Sequence, residues 1–303
     1  MEAFLASMLI AATPFLFAGL GELVAERSGV LNLGVEGMML VGAVAAFAVA
    51  FTTGSPWLGI LAGAGAGAAL ALVFVIVSVV LLANQAATGL ALTIFGIGVS
   101  GLAGQPFVGQ TVVPPPALSV PVLSDTTMLG RILFSQDPLV YLALLLAGAV
   151  WFLLERTRAG LALRAVGDSP ESAHALGISV LRVRALAVLF GGACAGLGGA
   201  YLSIVYTPMW GENMTAGRGW IAVALVVFAT WKPGRLVIGA YLFAAFTQLQ
   251  FYGQDWGVAV PSQFLAMVPY LATIAALVLI SRDPAIARAN QPASIGRSFR
   301  ADR

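Results

Sequence analysis

The chain has 303 residues, of which 60% are hydrophobic and only 9% charged, with a formal net charge of +2. Soluble domains average about 25% charged residues, so this chain lacks the polar surface to cover a water-exposed fold, and its small net charge gives no general affinity for nucleic acid. The single cysteine, Cys194, excludes an intrachain disulfide, the single histidine, His174, excludes a multi-histidine metal site, and the lone Lys232 precedes Pro233, so the Gly-x-x-x-x-Gly-Lys-Ser/Thr loop of nucleotide hydrolases is absent.

The sequence predicts one all-α, polytopic membrane domain over 1–303. A spanning helix needs about 20 mostly apolar residues, and nine segments qualify: about 4–20, 34–51, 57–82, 88–104, 138–154, 185–206, 218–231, 236–252 and 263–281. The first follows an acid and no basic residue, so it reads as a retained span and not as a cleaved signal peptide. The semi-polar run 22–33 is a candidate broken or re-entrant piece. Ionisable groups inside a membrane are costly and therefore functional candidates. Glu36 is the clearest, and Asn32, four residues earlier, would share its helix face and hydrogen-bond to it. The pair reads either as a polar lining of a translocation path or as a structural cap, whereas Glu22, Glu26 and Arg27 read as caps of a broken helix.

Gly59, Gly63 and Gly67, spaced four apart, and Gly192, Gly196, Gly198 and Gly199 are surfaces for close helix packing. Thr93 and Phe95, in the glycine-rich fourth span, are further translocation-path candidates, a hydroxyl and a stacking ring. Between about 105 and 137 the chain carries VPPPALSVPVL. Three consecutive prolines forbid a regular helix, leaving a stiff connector or a contact surface for an extracytoplasmic partner.

The run from Glu155 to Arg184 carries five arginines against three acids. With Lys232, Arg235 and five arginines in the tail 282–303, 12 of the 15 basic residues fall in three segments that an alternating trace puts on one side. Basic residues near span ends mark the cytoplasmic side, which puts the C-terminus inside and the N-terminus outside, with Arg131 and Arg218 as exceptions. Within this loop Ser169 or Asp168 can cap a helix that has Pro170 at its first position, Glu171 in its first turn and Gly177 at a left-handed terminus. Such a helix of about two turns is marginal alone in water. It is either stabilised by docking to another protein or rests on the membrane surface.

Two stretches carry a resemblance. Ala165, Val166, Gly167, Pro170, Ala173, Gly177 and Ile178 resemble the cytoplasmic loop of permease subunits of ATP-binding-cassette importers in the branched-chain amino acid, simple sugar and nucleoside group. Glu26, Arg27, Gly29, Val30, Asn32, Leu33, Glu36, Gly37 and Met39 resemble the N-terminal signature of the nucleoside-type members. The resemblance implies a bacterial plasma-membrane permease that does no covalent chemistry and moves a nucleoside, or else a simple sugar or branched-chain amino acid. It implies a related partner permease, an extracytoplasmic substrate-binding lipoprotein, surrounding lipid, and an ATPase subunit that binds the ATP and magnesium. That ATPase would grip Gly167, Asp168, Pro170, Glu171, Ala173, Gly177 and Ile178. The rival class, an ion-coupled secondary transporter, needs midplane carboxylates within inverted repeats. Glu36 would serve, but the 22–43 stretch has no evident repeat.

Overall fold

The computed structural model describes residues 2–118, 134–255, 262–281 and 290–300. Arg131, much of the proline-rich loop and the first part of the basic tail lie outside those residues. Among the described residues the regular elements are helices, with two isolated bridging pairs, Val108 with Trp210 and Thr111 with Met209. The helices in chain order are α1 (Glu2–Arg27), α2 (Val35–Thr53), α3 (Pro56–Phe74), α4 (Gln85–Gly104), α5 (Pro138–Arg156), α6 (Arg158–Asp168), α7 (Pro170–Ala175), α8 (Val180–Tyr201), α9 (Arg218–Phe228), α10 (Pro233–Asp255) and α11 (Ser262–Ser281). Helices α3 and α8 each run on into a π-helical turn, Val75–Val80 and Leu202–Tyr206.

Short polar residues set the helix starts. Asn84 accepts from Ala87 N at 2.9 Å to open α4, Asp137 accepts from Leu139 N at 2.9 Å to open α5, and Thr157 accepts from Gly160 N at 3.0 Å to open α6. Each satisfies an N–H that a helix cannot bond internally. In α3, α5 and α7 a proline follows the capping residue, where its missing N–H costs nothing.

Helix α8 is the hub, packed against α1, α2 and α3. Glycines allow this. A Cβ on Gly67 would sit 2.2 Å from the Gly192 carbonyl oxygen, and one on Gly196 would sit 2.2 Å from that of Gly63. The α3–α8 seam is therefore backbone against backbone, the small-residue packing that lipid favours.

Six of the described helices are long and apolar enough to cross a membrane: Glu2–Arg27, Val35–Thr53, Pro56–Val80, Gln85–Phe107, Pro138–Arg156 and Val180–Tyr206. The protein is a polytopic helical bundle, but the expected count of about nine is not reached among the described residues. The segment expected as the seventh span is α9, whose 11 residues rise only about 16 Å, half of a hydrocarbon core of about 30 Å. The last two expected segments fall on α10 and α11, parts of which lie outside the described side chains. The run 22–33 is also corrected. Residues 22–27 continue α1, and the break comes at 28–34. Each buried acid of the helix finds one donor: Glu22 Oε1 accepts from Asn32 N at 3.1 Å and Glu26 Oε2 from Trp231 Nε1 at 2.5 Å, while Glu22 Oε2 and Glu26 Oε1 are buried with no hydrogen-bond partner among the described residues.

One end of the bundle gathers the charged segments. Arg184 donates to Ser28 O and Arg297 O, Arg27 donates to Trp231 O and Asn290 O, and Gly296 N donates to Gly29 O. The turn after α1, the 155–184 run, the α9–α10 turn and the tail thus share a face. At the opposite end 208–210 pair with 108–112. The irregular run 207–217 leaves that end, and α9 completes the passage to Trp231. Half a helix and an unwound segment together run from one end of the bundle to the other.

Candidate functional site

Helix α2 begins inside the bundle. Gly37 packs on Gly96, the twelfth residue of α4, where a Cβ on Gly96 would lie 2.6 Å from Gly37 Cα. Glu36, 3% exposed, therefore sits about half-way along α4. Its Oε1 accepts from Thr215 Oγ1 at 2.5 Å and from Gly217 N at 2.8 Å, and its Oε2 accepts from Gly219 N at 2.6 Å. These backbone N–H groups are the unbonded amides at the start of α9, where the helix dipole favours an anion. Gly217 takes φ +82° to turn the chain into α9, and a Cβ on Gly219 would lie 2.6 Å from Glu36 Cα. Glu36 is the clasp between the breaks before α2 and before α9.

Asn32 is buried but does not reach Glu36, contrary to the expectation from their spacing. It precedes α2 and closes a turn of its own, with Oδ1 accepting from Gly34 N at 2.9 Å and Nδ2 directed to Met38 Sδ at 3.4 Å. Thr93 Oγ1 donates to Leu33 O at 3.0 Å and ties α4 to the same break, while Gln85 Oε1 accepts from Leu31 N at 2.9 Å. Phe95 does not join them. It is 56% exposed on the outer surface of α4.

At the charged end, Ser169 is the residue that caps α7, accepting from Ser172 N at 3.3 Å, and Gly177 takes φ +82° just beyond it. Pro170 and Ala173 are buried, Ile178 is half-buried, and Asp168, Glu171 and Gly177 are exposed. Ala173, Val166 and Val180 form a small apolar cluster with Ile178 and Phe299 against it. Gly167 is irreplaceable on steric grounds, since a Cβ there would meet Arg27 O at 2.1 Å. The tail braces this unit from below: Ser294 N donates to Gly167 O at 3.0 Å, Ser294 Oγ accepts from Arg184 Nη2 at 3.1 Å, and Phe299 packs on the His174 ring at 5.6 Å. Leu176 projects from the end of α7, 81% exposed. The tail contacts have no local sequence signal; they follow from buried Arg184, which gathers three partners distant in sequence.

The residue that the sequence reading set aside is Arg218. It begins α9, half-way along the bundle, and lines a cavity of about 200 Å³ shared with Phe15, Tyr206, Phe243 and Tyr270. Its status as an exception to the charge clustering was the available signal, because an ionisable residue within a membrane bundle is a functional candidate.

The chain matches the family described as branched-chain amino acid transport system / permease component over residues 4–278. It belongs to that permease family. A Haloferax volcanii permease protein, TsgC13, provisionally named for glucose, is 41% identical to it over 88% of both chains. The nucleoside permease protein NupC of Lactococcus lactis is 34% identical over 92% of both, and the guanosine permease protein NupQ of Bacillus subtilis is 32% identical over 89% of both. All three carry names of ATP-binding-cassette transporter permeases. No solved structure matches.

As a permease of such an importer, the protein moves a solute and is a transport component. Its two resemblance-bearing stretches, far apart in sequence, meet in the fold. Gly29 of the N-terminal stretch and Gly167 of the loop stretch lie beside Ser294 and Arg184, where a Cβ on Gly29 would fall 2.4 Å from Ser294 Oγ. The N-terminal signature therefore runs from the charged end of this permease to the Glu36 clasp at its middle.

Proposed function

We propose that the chain is the permease subunit of an ATP-driven nucleoside importer, working with a related partner permease, a separate ATPase that binds ATP and magnesium, and an extracytoplasmic binding lipoprotein. The charged end faces the cytoplasm and the N-terminus faces outward. The observation that carries the ATP-driven reading is the capped, tail-braced helix α7 with Leu176 exposed at its tip. A helix of six residues cannot hold its shape alone in water; here it is built into a firm base and leaves one face open for a partner. Of the residues expected there, the exposed Asp168, Glu171 and Gly177 make that contact, while Gly167, Pro170, Ala173 and Ile178 form the base that holds the helix in place.

Between the ATPase and the solute path stands the clasp. A change at the α7 base reaches residues 28–30 through Arg184 and Gly167, and from there the break before α2 and Glu36. Alternating access requires two states with different contacts, and the two interrupted helices held by Glu36 are the element that can supply them. Asn32 and Thr93 tie that break to its neighbours.

The nucleoside reading rests on the NupC and NupQ relatives. The second reading, a simple sugar, rests on the Haloferax volcanii relative at 41% identity. ATP-driven uptake of labelled guanosine, uridine, glucose and leucine by the reconstituted complex separates them. Nucleoside accumulation is expected, and accumulation of glucose alone would transfer the assignment to sugars.

A further inference from the structure

Five features converge on residues 202–218. Helix α8 ends in a π-turn at Tyr206, and such turns favour functional sites. The chain then unwinds for eleven residues before α9, which a membrane protein tolerates only where the backbone is buried in protein or lines a wet cavity. Asn213 and Ala216 take positive φ, +53° and +46°, where side chains are strained. Arg218 stands at the end of this segment, and the cavity opens beside it.

The chemistry of the cavity is specific. Phe243 meets Phe15 edge-to-face at 5.1 Å and Tyr270 edge-to-face at 6.0 Å, giving an aromatic wall. The Arg218 guanidinium lies over the Tyr206 ring at 5.6 Å. Its Nη1 donates to Met214 O at 3.1 Å and Thr215 O at 3.2 Å. A guanidinium has five N–H donors and no acceptor, so the Nε and Nη2 hydrogens remain without a hydrogen-bond partner among the described residues. No carboxylate among those residues makes an ion pair with Arg218, since the nearby Glu36 is taken up by Thr215, Gly217 and Gly219.

Resting on the nucleoside reading above, we propose that this cavity is a base-recognition pocket in which Arg218 selects nucleosides with a carbonyl-bearing base edge. The free edge of Arg218 offers donors only. It pairs with the oxo and ring-nitrogen acceptors of guanine or hypoxanthine, and with the oxo group of uracil. Adenine and cytosine place an amino donor at the same position and are rejected, because donor meets donor. The aromatic wall supplies faces on which any base can stack. Arg218 sets the discrimination and the rings set the general affinity.

The test is ATP-driven uptake by the whole complex in proteoliposomes, with guanosine, inosine, uridine, adenosine and cytidine as solutes. The binding lipoprotein is the same in every assay, so a change in selectivity between variants belongs to the permease. With the native chain, oxo-base nucleosides should be taken up with a KM about tenfold lower than amino-base ones. Arg218→Gln should bring that ratio close to one while the complex still co-purifies. Arg218→Lys keeps the charge but loses the planar fork, so it should also lower the ratio and serves if the glutamine variant does not assemble. Tyr270→Leu, at the half-exposed rim, should raise KM for all five nucleosides alike. If nucleosides enter but both Arg218 variants keep the native ratio, the pocket assignment is wrong and the nucleoside reading stands. If the native complex takes up no nucleoside, the reading and the pocket both fall.

Discussion

Glu36 holds three donors with two oxygens at the point where two helices are interrupted. Replacing it with Gln turns one oxygen into a donor that faces a buried N–H and removes the charge favoured at the start of α9. Hydrogen bonds to charged groups contribute about 1.5–3 kcal/mol each, and leaving a buried donor unmade costs a similar amount. Glu36→Gln should lower the apparent melting midpoint of the detergent-solubilised protein by several degrees and sharply reduce uptake. An unchanged midpoint would show that the clasp does not hold the two breaks together. The sequence singles out Glu36 because an intramembrane acid is conspicuous, but its partners lie about 180 residues away and have no local signature. Asn32 has the opposite history. Its spacing from Glu36 implies a shared helix face, and the chain breaks between them because Asn32 bonds its own backbone at Gly34, a turn habit of asparagine that competes with helix.

Helix α7 is the element that local sequence describes best, because a capping serine, a proline at the first position and a terminal glycine act within a few residues. Gly177→Val would force a β-branched side chain into φ +82°, a cost of about 1–2 kcal/mol, and Glu171→Lys would put a cation at the helix start against the dipole. Both changes should weaken pull-down of the ATPase, or its stimulation, while the protein still inserts normally on a membrane blot. Normal ATPase binding and transport by both variants would remove α7 from the docking surface. The tail is legible only as basic composition, since its role comes from contacts with Gly29, Gly167 and His174. Ending the chain after Ala293 should remove the brace from Arg184 and Gly167, and cut uptake more than it cuts insertion. Equal uptake by that truncated chain and the full one would show the brace to be dispensable. Helix α9 is the element misread. Its apolar run reads as a span, and only the backbone shows that it stops half-way, with the unwound 207–217 supplying the rest of the passage along the bundle.

At the scale of the molecule, composition alone places the chain in a membrane, and charge clustering gathers the segments that the fold brings to one end. It does not give the number of full-length helices, because apolar length is the same signal for a whole helix and for half of one joined to a buried coil. The orientation is checked with Ser172→Cys, at an exposed position on α7, while the native Cys194 is buried and silent. The introduced thiol should resist an impermeant reagent in intact cells and react after permeabilisation. Labelling from outside would invert the topology. The most direct test of the whole account asks what powers the transport. Proteoliposomes holding this permease with its partner subunits should accumulate labelled guanosine when ATP and magnesium are enclosed with the ATPase, and should stop when the ATPase is omitted. Accumulation by the permease chains alone, driven by a proton or sodium gradient, would contradict it.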